Sequence, residues 1–271
     1  MMPKAKSRSQ NLETWDPKAV AAKLCAELQK SGNAVRAAGA KRYLKSQLEF
    51  HGVTVPEIRR KARAFAKAEA GLTRAQLRAL VSELWQMNVH EPRSLGIGVL
   101  EQRVDLLGEN DLPWLARMVR KADTWAHVDW LAVKVIGAVV EGRPKTAASL
   151  RAWVKDPNFW VRRSALLALH DPLQAGRGDF ALFEELATPL LPEREFFIRK
   201  AIGWVLRATA KRTPERTIGF VERHAAELAL LSFREATRNL KPPIRERLTR
   251  LRESSASPPT PKTSNGRRRA S

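Results

Sequence analysis

The stretch Glu195-Phe196-Phe197-Ile198-Arg199-Lys200-Ala201-Ile202-Gly203-Trp204-Val205-Leu206-Arg207 has the spacing of one amphipathic helix. At about 100° per residue, Ile198, Ile202, Val205 and Leu206 share one face, while Lys200, Trp204, Arg207 and Lys211 fall in a stripe roughly 60° wide opposite it. Trp204 is therefore expected to point away from the core. A large ring among three cations suits a base or sugar with phosphates beside it, which makes nucleic acid the first partner to expect.

The centre of this helix recurs along the chain. Val128-Asp129-Trp130-Leu131-Ala132, Val161-Arg162-Arg163-Ser164-Ala165, Ile198-Arg199-Lys200-Ala201-Ile202 and Phe233-Arg234-Glu235-Ala236-Thr237 begin 33, 37 and 35 residues apart. A helical pattern precedes each of them, so the period is one helix pair. No convincing run of alternating strand residues intervenes, and the expected fold is all-α, an α-solenoid of HEAT-like helix pairs. Stacked pairs leave a concave face built from the second helices. Arg162, Arg163, Arg199, Lys200 and Arg234 recur there and predict a basic face wide enough for a duplex. Helices are expected over Ala34 to Glu49, Trp125 to Glu141 and Glu195 to Ala210, among others, with the last over Ser232 to Leu240.

The 271 residues carry a formal charge of +21, and their 44% hydrophobic content is that of an ordinary globular chain. The ends do not explain the charge, because residues 1–12 and residues 253–271 carry +3 each and leave +15 on the rest. A basic body attracts polyanions. Residues 1–12 and 253–271 read as basic, disordered ends, and residues 13–252 as the solenoid. Cys25 is the only cysteine, so an intramolecular disulfide and a cysteine-based zinc site are both excluded, and a reducing cytoplasm fits. The five histidines lack paired metal-ligand spacing, and no phosphate-cradling glycine motif occurs. Neither metal nor cofactor is expected. No apolar run reaches membrane-spanning length, so no membrane partner is expected.

A carboxylate stands out on the helix that starts near Trp125. Trp125, Asp129, Ala132 and Ile136 share a face, which sets Asp129 on an apolar stripe one turn from a Trp ring. A buried carboxylate needs a partner, and Arg162 or Arg163, one repeat later, can supply it. Asparagine at 129 is expected to leave folding nearly intact. Trp160, beside these arginines, is ambiguous between core and surface.

Tyr43-Leu44-Lys45, Phe50-His51-Gly52-Val53-Thr54-Val55-Pro56-Glu57-Ile58-Arg59-Arg60, Glu83-Leu84-Trp85, Thr124 through Asp129, Phe159 through Arg163 and Glu195 through Arg207 resemble, in order, the AlkD-like DNA alkylation repair family. The resemblance runs from about Ala34 to Leu240, and its Trp-x-x-x-Asp pair and Phe-Phe-Ile-x-Lys-Ala-Ile-Gly-Trp segment are specific. It implies a monomeric glycosylase that cups double-stranded DNA and removes positively charged alkylated purines without drawing the base into a tight pocket. The matching positions imply Trp125, Trp204 and Asp129 around the lesion's backbone and deoxyribose, with Arg163 and Tyr43 near the DNA. One departure is visible. Members often carry an acid directly after the tryptophan, where this chain has Ala126 and then His127. The same residues also admit a non-catalytic DNA-binding solenoid or a HEAT-type protein scaffold.

Overall fold

The computed structural model describes residues 15–255. These residues fold into helices in the order α1 (Pro17–Lys30), α2 (Ala34–Leu44), α3 (Val55–Ala68), α4 (Arg74–Gln86), α5 (His90–Gln102), α6 (Leu112–Arg120) and α7 (Trp125–Trp130). A π-helical turn, Leu131–Ile136, carries α7 directly into α8 (Gly137–Val140). There follow α9 (Ala147–Trp153), α10 (Phe159–Leu167), α11 (His170–Gln174), α12 (Phe180–Ala187), α13 (Phe196–Thr209), α14 (Pro214–Arg223), α15 (Leu230–Thr237) and α16 (Pro242–Ser255). An isolated bridge joins Glu49 to Val89, and no strand forms among the described residues.

The helices pack as a stack of pairs. One continuous row runs α3, α5, α7 with its π turn, α10, α13 and α15, each against the next. The other helices flank it: α4 lies on α5, α6 and α9 on α10, and α14 on α13. The recurring pentads lie in the row, where Val128, Val161 and Ile198 are fully buried and Phe233 nearly so. Capping fixes where these helices begin. Thr54, Thr124, Asn158 and Glu195 each accept a backbone N–H of the first turn with their side chains, a contact worth about 1 kcal/mol apiece.

The repeat is also written in the polar contacts. Arg74 pairs with Asp111, Arg120 with Asp156, Lys134 with Asp171, Arg151 with Glu185 and Arg177 with Glu141, all 34 to 37 residues apart in sequence. A side chain thus reaches the corresponding segment of a neighbouring pair, forward in four of these contacts and backward from Arg177. Gly203 sets the spacing of the last row helices, because a Cβ there would lie 2.6 Å from the Glu235 Cβ and 2.8 Å from the Ser232 carbonyl oxygen. No side chain fits between α13 and α15 at that point.

Three boundaries differ from the sequence expectation. Helix α2 stops at Leu44 rather than Glu49, because Lys45 adopts the left-handed conformation with φ 51° and Ser46 then donates its hydroxyl to Asp123. Helix α11 is an extra short helix after α10. Helix α16 was unforeseen, and it crosses the expected start of the tail at residue 253; beyond Ser255 the tail, like residues 1–14, lies outside the described residues.

Candidate active site

Asp129 sits on the second turn of α7, and Trp125 is the first residue of that helix, started by the Thr124 cap. From α10, Arg163 reaches back one repeat: its Nε and Nη2 donate to Asp129 Oδ1 and Oδ2 at 2.7 and 2.8 Å. The remaining Nη1 donates to the Phe197 carbonyl in the first turn of α13. Three successive row helices are therefore tied through one guanidinium. The Arg163 side chain is only 3% exposed and that of Asp129 15%, so the pair is held away from bulk solvent with the carboxylate at its outer end. A bidentate fork fixes the plane of the carboxylate, which a single hydrogen bond would not do.

Aromatic rings surround this pair. The Arg163 guanidinium lies 5.7 Å from the Phe197 ring centroid and 6.0 Å from that of Trp204. Trp204 is half-buried and packs on His170, with ring centroids 4.7 Å apart. His170 is held in turn by Asp171, at 2.8 Å from Nδ1, and Asp171 receives Lys134 at 2.5 Å. Burial pushes the Asp171 carboxyl up, yet the hydrogen bonds from His170 and Lys134 outweigh it and hold the carboxyl below its ordinary range. At the other end Trp125 meets Tyr43 edge to face at 6.0 Å, and Tyr43 is 74% exposed. A cavity of about 380 Å³ opens beside them, lined by Tyr43, Trp125, Ala126, Trp130, Arg36 and Arg59 among others.

A model of the DNA alkylation repair enzyme family matches residues 24–240. The chain belongs to this family. A predicted DNA alkylation repair enzyme from Enterococcus faecalis is 26% identical and superposes with a TM-score of 0.69, covering 78% of this chain and 98% of that one. AlkD2 from Streptococcus mutans shares the fold at a TM-score of 0.53 with 16% identity, over 88% of this chain and 98% of its own. No curated protein matches the chain.

In this DNA alkylation repair protein the cations expected to line the row are largely engaged. Lys200 pairs with Glu235 at 2.6 Å, and Arg207 pairs with the other oxygen of the same carboxylate. Arg162 pairs with Glu193 at 2.7 Å and donates to the carbonyls of Asp156 and Pro157. Arg199 donates to the Glu193 carbonyl at 2.7 Å. Lys211 and Arg234 are exposed. The expectation of a free cationic stripe around Trp204 is thus corrected, since Glu235 pairs with two of its three cations and offsets one of their charges, and Trp204 itself leans on His170. Of the two arginines offered to Asp129, Arg163 is the partner. Trp160 is half-buried and packs at a tilt against Phe159 and Phe197, with ring centroids 4.3 and 4.7 Å away.

The departure after Trp125 proves local. Thr124 still caps α7 through Ala126 N, at 3.1 Å, so no acid is needed at position 126 for the helix to start. His127 is turned into the core, where it stacks on His90 at 4.2 Å and lies 3.0 Å from Ser94 Oγ. Burial holds His127 well below the ordinary histidine range and His90 down to about 4. Sequence reasoning also missed Glu193, Glu235, His170 and Trp130. For Glu235 a signal existed: in the third place of the pentads it opposes Arg163 and Lys200 in sign. Among the described residues no group of three or more His, Cys, Asp or Glu side chains converges as a metal site, and no helix is long and apolar enough to cross a membrane.

Proposed function

We propose that the protein is a DNA glycosylase that releases N3-alkyladenine and N7-alkylguanine from duplex DNA as the opening step of base excision repair, acting as a cytoplasmic monomer. One observation carries this: Asp129 presents a carboxylate whose orientation is fixed by Arg163, with the Trp125 ring one turn before it and Trp204 beside the same arginine. A purine alkylated at N3 or N7 is already cationic. When its glycosidic bond breaks, the bonding pair leaves with the base and positive charge develops on the sugar. The catalytic need is therefore an anion and electron-rich ring faces near C1′, together with a water to complete hydrolysis. Asp129 supplies the anion and accepts the proton of the attacking water, and Trp125 and Trp204 supply the rings. Arg163 positions Asp129. Each carboxylate oxygen gives one lone pair to Arg163 and keeps another for sugar or water.

Selection follows from leaving-group chemistry, because an uncharged base departs far less readily. Tyr43 and the exposed Lys211 are assigned to the DNA backbone, with Arg162, Lys200 and Arg207 contributing as far as their acidic partners allow and Arg199 as far as its bond to the Glu193 carbonyl allows. The test is incubation with methylated duplex followed by chromatography of released bases, in which free N7-methylguanine is expected. A non-catalytic lesion binder is the competing function, favoured by the fact that Arg163 already engages both Asp129 oxygens. Tight duplex binding without any base release would select it.

A further inference from the structure

Arg59, on the second turn of α3, differs from the arginines around Asp129. Its guanidinium lies over the Trp130 ring, 4.8 Å from the centroid, and makes no hydrogen bond or ion pair to any described residue. Arg162, Arg163, Arg199 and Arg207 all spend their donors on protein acceptors. The ring beneath Arg59 is itself fixed, because Trp130 Nε1 donates to Glu101 at 2.7 Å. A cation stacked on an immobilised indole is pre-ordered and partly desolvated, which strengthens whatever its outward donors bind.

The surroundings select the ligand. Arg59 and Arg36 both line the cavity that holds Trp125 and Tyr43. Arg36 uses one arm on the Gly52 carbonyl, at 2.7 Å. The acid in the wall, Glu91, is spent on the backbone N–H groups of His51, Gly52 and Val53. His90, also in the wall, is uncharged at neutral pH because burial pulls it down to about 4. Two guanidiniums oppose entry of a cationic alkylpurine, so the lesion base is not the occupant. An anion with two acceptor oxygens suits a planar guanidinium. We propose that Arg59, clamped on Trp130, is a binding site for one phosphodiester of the DNA strand, close to the lesion because Arg59 and Trp130 line the same cavity as Trp125.

This rests on the DNA-directed function above, and the experiment separates the two. Binding of a fluorescent duplex is measured by anisotropy over a salt series for the wild type, Arg59→Gln and Arg59→Lys, after helicity and melting temperature establish that each is folded. Arg59→Gln is expected to reduce the magnitude of the log-affinity against log-salt slope by about 0.9, the value for one phosphate contact. Arg59→Lys keeps the charge and is expected to keep the slope. A duplex series with one uncharged methylphosphonate moved along the strand identifies the phosphate, since the wild type should lose affinity at a position where Arg59→Gln loses none further. An unchanged slope for Arg59→Gln, in a protein whose duplex binding is salt-dependent, overturns the clamp alone. Absence of salt-dependent duplex binding by the wild type overturns the clamp and the glycosylase together.

Discussion

Replacing Asp129 by asparagine removes the negative charge from a pair whose other member, Arg163, is 3% exposed. Asparagine can accept from Arg163 Nε through its oxygen, but its amide then turns N–H groups toward the Nη2 donor. Deleting one partner of a buried pair costs about 3 to 5 kcal/mol, and because Asp129 retains 15% exposure the lower end applies. At roughly 2 to 4 °C per kcal/mol for a chain of this size, a drop of about 6 to 12 °C in melting temperature is expected. This reverses the expectation drawn from sequence, that the substitution leaves folding nearly intact. Excision of N7-methylguanine should fall by about 10²-fold or more, the scale of an electrostatic catalytic group. The two effects are separable with a second variant. Asp129→Asn combined with Arg163→Met removes the orphaned guanidinium and should recover most of the stability, since an apolar replacement of a buried pair is often neutral. Its activity should stay lost. Single-turnover release from methylated duplex at about 25 °C, alongside urea unfolding, gives both quantities. An Asp129→Asn protein that excises at the wild-type rate refutes the catalytic role, and a double variant that regains activity along with stability shows that the carboxylate acts only through folding.

Gly203→Ala forces a Cβ to within 2.6 Å of Glu235 Cβ and 2.8 Å of a backbone oxygen, so it should destabilise by about 1 to 3 kcal/mol in thermal unfolding; wild-type melting would show that α13 and α15 separate without cost. Glu235→Gln frees Lys200 and Arg207 and should steepen the salt dependence of duplex binding, whereas Lys200→Ala should change the slope by less than the roughly 0.9 of a full contact. Burial raises the Glu235 carboxyl, but Lys200 and Arg207 outweigh this and hold it below its unfolded value of 4.5; its stabilisation is present above that pH and is lost as pH falls through the lower folded value. Urea unfolding of Glu235→Gln should accordingly lack that acid-dependent component. His90 and His127 are buried uncharged, with pKa depressed below 6.5 by burial, so their stabilisation is complete above pH 6.5 and erodes as pH falls through the range below it, where the unfolded chain takes up protons that the folded one refuses. A His127→Phe variant should show a shallower decline over that range.

The stack was legible because burial obeys a period: the pentads place Val128, Val161, Ile198 and Phe233 at equivalent inward positions, and a 35-residue recurrence has few structural meanings. The Asp129 and Arg163 pair was legible for the same reason, since 34 residues is one repeat. Contacts dictated by the neighbouring helix were harder to read. A helical wheel shows which residues leave the core of their own helix but not what the next helix puts in front of them, so Trp204 and Lys200 read as free while His170 and Glu235 meet them. The π turn after Asp129 leaves no mark in the hydrophobic pattern, because Leu131, Ala132, Val135 and Ile136 are buried as an α-helix would also bury them. Helix α16 had a signal in the spacing of Ile244, Leu248 and Leu251, but six charged side chains from Arg245 to Glu253 outweigh three apolar ones in composition, even though Leu248 is fully buried.

The distribution of acids decides which part of the +21 charge can meet DNA. Each repeat needs a polar tie to the next, and in this chain arginine or lysine provides it with a carboxylate one period away, so cations accumulate in the row without remaining available. Such ties stiffen the stack at modest gain in stability where they are exposed. Where they are buried, as at Asp129 and Arg163, they fix orientation instead. A family whose chemistry requires a carboxylate of set orientation can therefore build it from the same inter-repeat pairing that holds the solenoid together, and Arg163 serves both ends at once through Asp129 and the Phe197 carbonyl. The DNA-facing charge must then come from cations lacking an acid one repeat away. Arg59 meets that condition and stands on a fixed ring in the wall of the cavity that Trp125 lines.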